Sequence, residues 1–195
     1  MNTPEPDVTA HRNDGIQPVD VGLQTALALV NGLAVDPTGD PAVTVRRILS
    51  IDPPSVEALH EADIPGFVRL AQRLETIAIT VVDGDLDHAA DAVNELLAEH
   101  PAHPHLAKQD GRWRLHHHPT DAEPVPMWTA IAADALARLI GSDQAHQLGK
   151  CSADDCARLY LDRSKNRSRR FCSTTCQNRV KAATFRSRRR AAVDG

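Results

Sequence analysis

Apolar residues recur at steps of three and four over most of this 195-residue chain, the spacing of helices that bury one face. In VDVGLQTALALVNGLAVD, Val19, Leu23, Ala26, Leu27, Val30 and Leu33 keep to one side of a helix. The Pro and Gly of DPTGDPAV break it, and a short helix is expected from Pro41 to about Leu49. Ser55 is placed to cap a further short helix in SVEALHEAD. After Pro65-Gly66 comes the strongest stripe, Phe67, Leu70, Leu74, Ile77 and Val81, although the β-branched IAITVV leaves its end open between helix and strand. Asp83-Gly84-Asp85 then turns the chain. Asp85 suits the N-cap of a helix carrying Leu86, Ala89, Val93, Leu96 and Leu97, and so short a turn predicts antiparallel packing of the two helices.

The pattern changes in HPHLAKQDGRWRLHHH, where short, partly alternating runs flank Asp110-Gly111. This predicts a β-hairpin with Trp113 and Leu115 facing inward. PTDAEPVP leads to a last helix, with a stripe of Trp128, Ala132, Ala135 and Leu139 that ends at Gly141. The expected body is therefore mainly α: a disordered leader over 1–18 and a helical domain with a small β-hairpin over 19–145, leaving 146–195 for a separate module.

Charge sharpens that division. The chain has 22 Lys and Arg against 26 Asp and Glu, but from Lys150 onward there are 13 basic and 4 acidic residues. That segment carries +9, and residues 1–149, with the other 9 basic and 22 acidic, carry −13. An acidic body with a basic tail is expected of a protein whose tail meets a polyanion. No stretch stays apolar for the roughly 18 residues of a membrane span, and MNTPEPDVTAHRNDG is polar, so a soluble, cytoplasmic protein is expected.

All four cysteines, Cys151, Cys156, Cys172 and Cys176, lie within 26 residues. The spacing is Cys-x4-Cys, fifteen residues, then Cys-x3-Cys. Idle thiols have little packing use in so small a segment, and neither pair has the Cys-x-x-Cys form of a redox site. One structural zinc ion held by four thiolates is the favoured reading, because two short-spaced pairs joined by a loop supply four tetrahedral corners and leave no place for a catalytic water. In ARLYLDRSKNRSRRF, Leu159, Tyr160 and Leu161 are expected to turn through DRSKN and pair back toward Phe171 as a hairpin with a basic tip. Ser173 can then cap a helix with Cys176 in its first turn. Loop, hairpin and helix in that order predict a treble-clef-like finger.

Beyond Cys176 the helix is strongly basic. At about 100° per residue Cys176, Val180 and Ala183 share an inward face, Arg179, Arg186 and Arg190 form a second stripe, and Lys181 and Arg188 a third. Such a helix can present guanidinium groups to phosphates or guanine edges, with Asn178 as a base reader or as a hydrogen-bonding partner within the finger. Arg169, Arg170 and Arg179 also lie close enough in sequence to offset the charge of about −2 on a tetrathiolate zinc.

CSADDCARLYLDRSKNRSRRFCSTTCQNRVKAATFRSRRR resembles the CGNR zinc finger. Asp162, Ser164, Asn166, Arg169, Arg170, Phe171, Cys172, Ser173, Cys176, Asn178, Arg179 and Lys181 match its pattern, while Gln177 stands where Gly is usual. In that family the finger follows an ABATE domain, associated with stress-induced transcription regulation. Residues 19 to 140 are similar in layout, with LALVNGL where the family shows Asn-Thr and AVNELLAEHP resembling its second helical segment. The resemblance implies a transcription regulator of bacterial type, and the metal-fixed, basic segment is expected to bind DNA through Arg167, Arg169, Arg170, Asn178, Arg179, Lys181, Arg186, Arg188, Arg189 and Arg190, the alternative for Arg188 to Arg190 being a solvated, frayed tail. The resemblance also implies a sensing body with a small-molecule effector, for which Asn31 is the carried-over site residue. A homodimer is expected on the ground that one short finger offers little specificity. The competing class is a protein-interaction module that docks acidic partners.

Other chemical signals have simpler accounts. His116 and His118 share a hairpin face, with His103 and His105 opposite, but no carboxylate completes a metal site. Asp83, Asp85 and Asp87 lack EF-hand spacing and suit turn and capping duties. No glycine-rich phosphate loop, Gly-x-Ser-x-Gly or His-Glu-x-x-His is present, so no enzymatic activity is expected.

Overall fold

The computed structural model describes residues 18–109, 111–116, 122–164 and 166–191. The expected leader up to residue 17, Asp110 of the hairpin turn, and His117 and His118 lie outside the described residues. The chain runs α1 (Pro18–Leu29), a π-helical turn (Val30–Val35), α2 (Pro41–Leu49), α3 (Pro53–Ala58), a 3-10 turn (Glu61–Asp63), α4 (Ile64–Val82), α5 (Leu86–Glu99), β1 (His105–Gln109), β2 (Arg112–His116), α6 (Pro124–Gly141), a 3-10 turn (Ala145–Gln147), β3 (Leu148–Lys150), β4 (Leu159–Leu161) and α7 (Thr174–Ala191).

Local chemistry sets the helix starts. Asp40 accepts from the Ala42 amide at 2.8 Å ahead of Pro41, whose missing N–H costs nothing in the first turn. Asp85 caps α5 through the His88 amide. The cap of α3 is Asp52, not Ser55: Asp52 accepts from the Ser55 amide at 3.2 Å and Pro53 opens the helix. Ser55 is instead buried inside the helix, where its hydroxyl donates to Asp52 and accepts from Trp128 Nε1 at 3.0 Å. IAITVV stays helical because its outer turns cover the same core as Phe67 and Leu70.

The helices pack as a bundle around α4, which touches α1, α2, α5, α6 and the π-helical turn. Phe67, Leu29, Leu49, Leu74, Leu96, Leu136, Val30, Val45 and Val93 are almost completely buried, and each such side chain contributes about 1.5–3 kcal/mol by leaving water. The antiparallel α4–α5 pair is tied by a forked Arg73–Glu99 contact of 2.5 and 3.0 Å. A Cβ on Gly22 would come within 2.9 Å of Ile131 Cγ2, so glycine permits the close approach of α1 to α6. Leu86 lies off the stripe assigned to α5 and is exposed.

β1 and β2 form the expected antiparallel hairpin, but its orientation is the reverse of the expected one. Trp113, Leu115 and Leu106 are 68%, 45% and 64% exposed, whereas His105, Ala107 and His116 on the other face are half-buried. Register pairs Leu106 with Leu115 and His105 with His116, so the apolar residues share the outer face while the two imidazoles stack at 5.4 Å on the inner one. No described helix is long and apolar enough to cross a membrane.

Candidate metal centre

The described residues of 147–191 build a knuckle, a loop and a helix. β4 pairs antiparallel with β3, Leu148 opposite Leu161, and not with the segment around Phe171. The partner differs from the expected one because the ladder continues into the first cysteine, whose amide donates to the Arg158 carbonyl at 2.9 Å. Cys151 and Cys156 thus sit in the loop of the β3–β4 hairpin. The amides of Ala153 and Arg158, each two residues beyond a cysteine, point at the two sulfurs. The second pair is set by α7: Ser173 Oγ accepts from the Cys176 amide at 3.2 Å, which caps the helix and places Cys176 in its first turn. Gln177 occupies the same turn, donating to the Ser173 carbonyl at 3.1 Å, in a helical position that needs no glycine.

All four cysteines are free thiols, and their Sγ atoms lie within 4.8 Å of one another. A zinc ion about 2.3 Å from four sulfurs sets edges of about 3.8 Å. The Cys156–Cys172 and Cys172–Cys176 edges are both 3.6 Å. The donor set therefore fits one zinc ion, with no coordination position left for water. Without metal the crowded thiols differ in acidity. Burial, followed by the neighbouring sulfurs of Cys156, Cys176 and Cys151, pushes Cys172 up to about 12, and burial also raises Cys156. Burial opposes ionisation of Cys151 too, but hydrogen bonds from the Cys172 and Ala153 amides and from the Cys156 and Cys172 thiols outweigh it and bring it down to about 7.

Between the cysteine pairs the chain is irregular and is organised by Asp162. Its Oδ1 accepts from Ser164 Oγ at 2.5 Å and Ser164 N at 2.9 Å, and its Oδ2 from Arg169 N at 2.8 Å. The Ser164 hydroxyl, against the cost of burial and with the Ser164 and Arg169 amides, holds this carboxyl below the usual carboxylate range. Tyr160 lies over Gly149, where a Cβ would come within 2.8 Å of its ring, and its hydroxyl donates to the Arg169 carbonyl at 2.6 Å.

The expected nucleic-acid residues divide by what they touch. Arg169 donates to the carbonyls of Phe171 (2.9 Å), Leu161 (3.2 Å) and Cys172, and its guanidinium stacks on Tyr160 at 4.9 Å. Its N–H groups serve the finger's own backbone. Arg179 turns toward the metal centre, 3.9 Å from Cys176 Sγ. Arg170, Asn178, Lys181, Arg186 and Arg189 are exposed, and so is Arg167, which takes a left-handed turn at φ 48°. Arg188 and Arg190 lie on α7, their side chains outside the described residues. Ala183, expected on the inward face with Cys176 and Val180, is exposed, because α7 runs past the finger: from Lys181 to Arg189 each described side chain is exposed.

Asn31 has a task that sequence reasoning did not assign. Its Nδ2 donates to the Leu159 carbonyl and its Oδ1 accepts from the Leu159 amide, both at 2.9 Å, across 128 residues of chain. Asp36 pairs with Arg158 at 2.6 Å, a contact also missed. An amide placed in the apolar run LALVNGL was the available signal for Asn31, since a buried amide needs partners; nothing in the run names Leu159.

Two family models match the chain. A CGNR zinc finger model matches residues 147–189, and the ABATE model, described as "Putative stress-induced transcription regulator", matches residues 23–143. The chain belongs to the ABATE family and carries a CGNR zinc finger. Among individually curated proteins none matches. The ABATE and CGNR matches meet at the 3-10 turn Ala145–Gln147, and the two parts share a core: Leu148 and Leu159 of the CGNR finger belong to the same buried cluster as Leu33 and Leu70 of the ABATE body.

Proposed function

We propose that this chain is a DNA-binding transcription regulator in which a structural zinc anchors α7 and α7 contacts DNA. The observation that carries the reading is the helix itself. It starts at a zinc ligand, holds six basic and no acidic residues, and extends exposed beyond the finger. Its 18 residues span about 27 Å, enough to lie along a major groove with Lys181, Arg186 and Arg189 toward phosphates and Asn178 toward base edges. Arg167 and Arg170, on the exposed loop before it, would add backbone contacts. The site carries no reaction in this reading, since four thiolates saturate the metal. The family description supports a role in stress-induced transcription regulation; in this reading the ABATE body would sense an effector, and a homodimer would double the sequence read by one finger.

A second reading, a basic helix that docks an acidic protein surface, draws on Phe185, which is 62% exposed on α7 beside Arg189. Fluorescence polarisation with random-sequence duplex DNA separates the two. Zinc-loaded protein is expected to bind, to lose binding on chelation, and to weaken steeply with salt, each phosphate contact steepening the log–log slope by about 0.9. Binding that is absent, or indifferent to zinc and salt, would leave the protein-docking reading in its place.

A further inference from the structure

We propose that the π-helical turn at residues 30–35 is a coupling joint, through which Asn31 and Asp36 make zinc binding by the finger and stability of the body parts of one equilibrium. The inference does not depend on α7 meeting DNA.

The geometry of β4 explains why the joint is there. Ladder bonds between β3 and its partner fall at Cys151–Arg158 and Gln147–Asp162, with the Cys151 amide on the Arg158 carbonyl and the Asp162 amide on the Gln147 carbonyl. By antiparallel alternation the N–H and C=O of Leu159 then point away from β3. They meet Asn31, whose side-chain amide gives and takes one hydrogen bond as a neighbouring strand would. The body thus supplies the missing partner to the free edge of the knuckle, and a half-buried N–H and C=O are satisfied only while finger and body are docked.

The turn that carries Asn31 is built around the same point. The Asp36 amide donates to the Asn31 carbonyl at 3.1 Å, closing the wide π-type loop, and the Asp36 carboxylate reaches Arg158. Adjacent finger residues 158 and 159 are held by the two ends of one turn. π-type turns are costly irregularities that persist mostly where they serve a contact. On the finger side, Leu159 is three residues after the ligand Cys156 and three before Asp162, which fastens the loop leading to Cys172. Leu159 and Leu148 also complete the body's core. Metal therefore holds the knuckle, the knuckle presents β4, and β4 closes the core and the polar pairing of α1's extension. Linkage makes this reciprocal: whatever zinc adds to docking, docking adds to zinc affinity.

The test uses the full chain in a Trp113→Phe background, so that emission reports buried Trp128 in the body. Body unfolding is followed with saturating zinc and with excess chelator, and zinc affinity is measured by competition with a chromophoric chelator. In the parent the body's midpoint is expected to drop on chelation. Asn31→Ala is expected to bind zinc about 5- to 100-fold more weakly and to show a smaller drop. Asp36→Arg, at a side chain that is 45% exposed, is expected to move both readouts the same way, and adding Arg158→Asp to restore them. If Asn31→Ala does not fold, Asp36→Arg decides alone. A local role in the body would lower the midpoint equally with and without zinc and leave zinc affinity at its parent value; that outcome in the folded variants overturns the proposal. Loss of DNA binding with both readouts unchanged would bear on α7 and leave the joint refuted.

Discussion

Arg169 and Arg186 are the same residue type on the same basic segment, and the structure assigns them opposite work. Arg169→Ala removes donors to three carbonyls and a guanidinium from the face of Tyr160. At a solvent-reachable site each bond is worth about 1 kcal/mol net and the ring contact about 0.5–1 kcal/mol, so the finger loses about 3 kcal/mol once partial resolvation is allowed for. Because the folded finger is what binds metal, that loss reads out as zinc affinity weakened roughly a hundredfold. Arg169→Lys keeps the charge but not the planar fork, and should lose most of the same affinity. At saturating zinc, where the finger is refolded by mass action, Arg169→Ala should leave the salt dependence of DNA binding unchanged. Arg186→Ala should do the reverse, keeping zinc affinity and lowering the salt slope by about one unit. The measurements are chelator competition and polarisation titrations at several salt concentrations. Wild-type zinc affinity in Arg169→Ala together with a slope reduced by about one would refute the reasoning and return Arg169 to the phosphate-contacting set.

Three further outcomes follow from the geometry. Trp128→Ala should cost about 3–5 kcal/mol in urea unfolding and Trp113→Ala no more than about 0.5 kcal/mol; a comparable cost for the two would mean that the hairpin packs its apolar face inward after all. Gly149→Val drives a side chain into the Tyr160 ring, so zinc affinity should fall at least about tenfold while far-ultraviolet circular dichroism keeps the helical signal of the body. Cys156 and Cys172 are raised above their ordinary value without metal, so below about pH 8 both keep protons that zinc must displace. Affinity should therefore fall as pH drops, at least about a hundredfold between about pH 8 and 7. Zinc affinity that stays flat across that unit would exclude these thiols as ligands.

Much of the molecule was legible in the order of residues alone. Helices at 41–49, 64–82 and 86–99 follow from apolar spacing, proline and aspartate starts, because each needs only some core to bury its stripe. The cysteine spacing likewise carries the metal centre, since a short loop between paired thiols limits where they can go. The remaining features depend on partners far along the chain. Alternation in the hairpin marks two faces but not which one meets the body, and here stacked His105 and His116 lie inward while Trp113 faces water. A three-residue strand is too short to name its partner, and β4 pairs with β3, not with the flank at Phe171. Asn31 is an amide in an apolar run until folding brings Leu159 to it. The sequence determines which segments become helices and which residues can hold a metal, because those depend on neighbours a few positions away. Only the tertiary structure decides which arginine is spent on a carbonyl and which stays exposed, and that the body grips the finger, because those choices depend on backbone groups that the fold alone leaves unpaired.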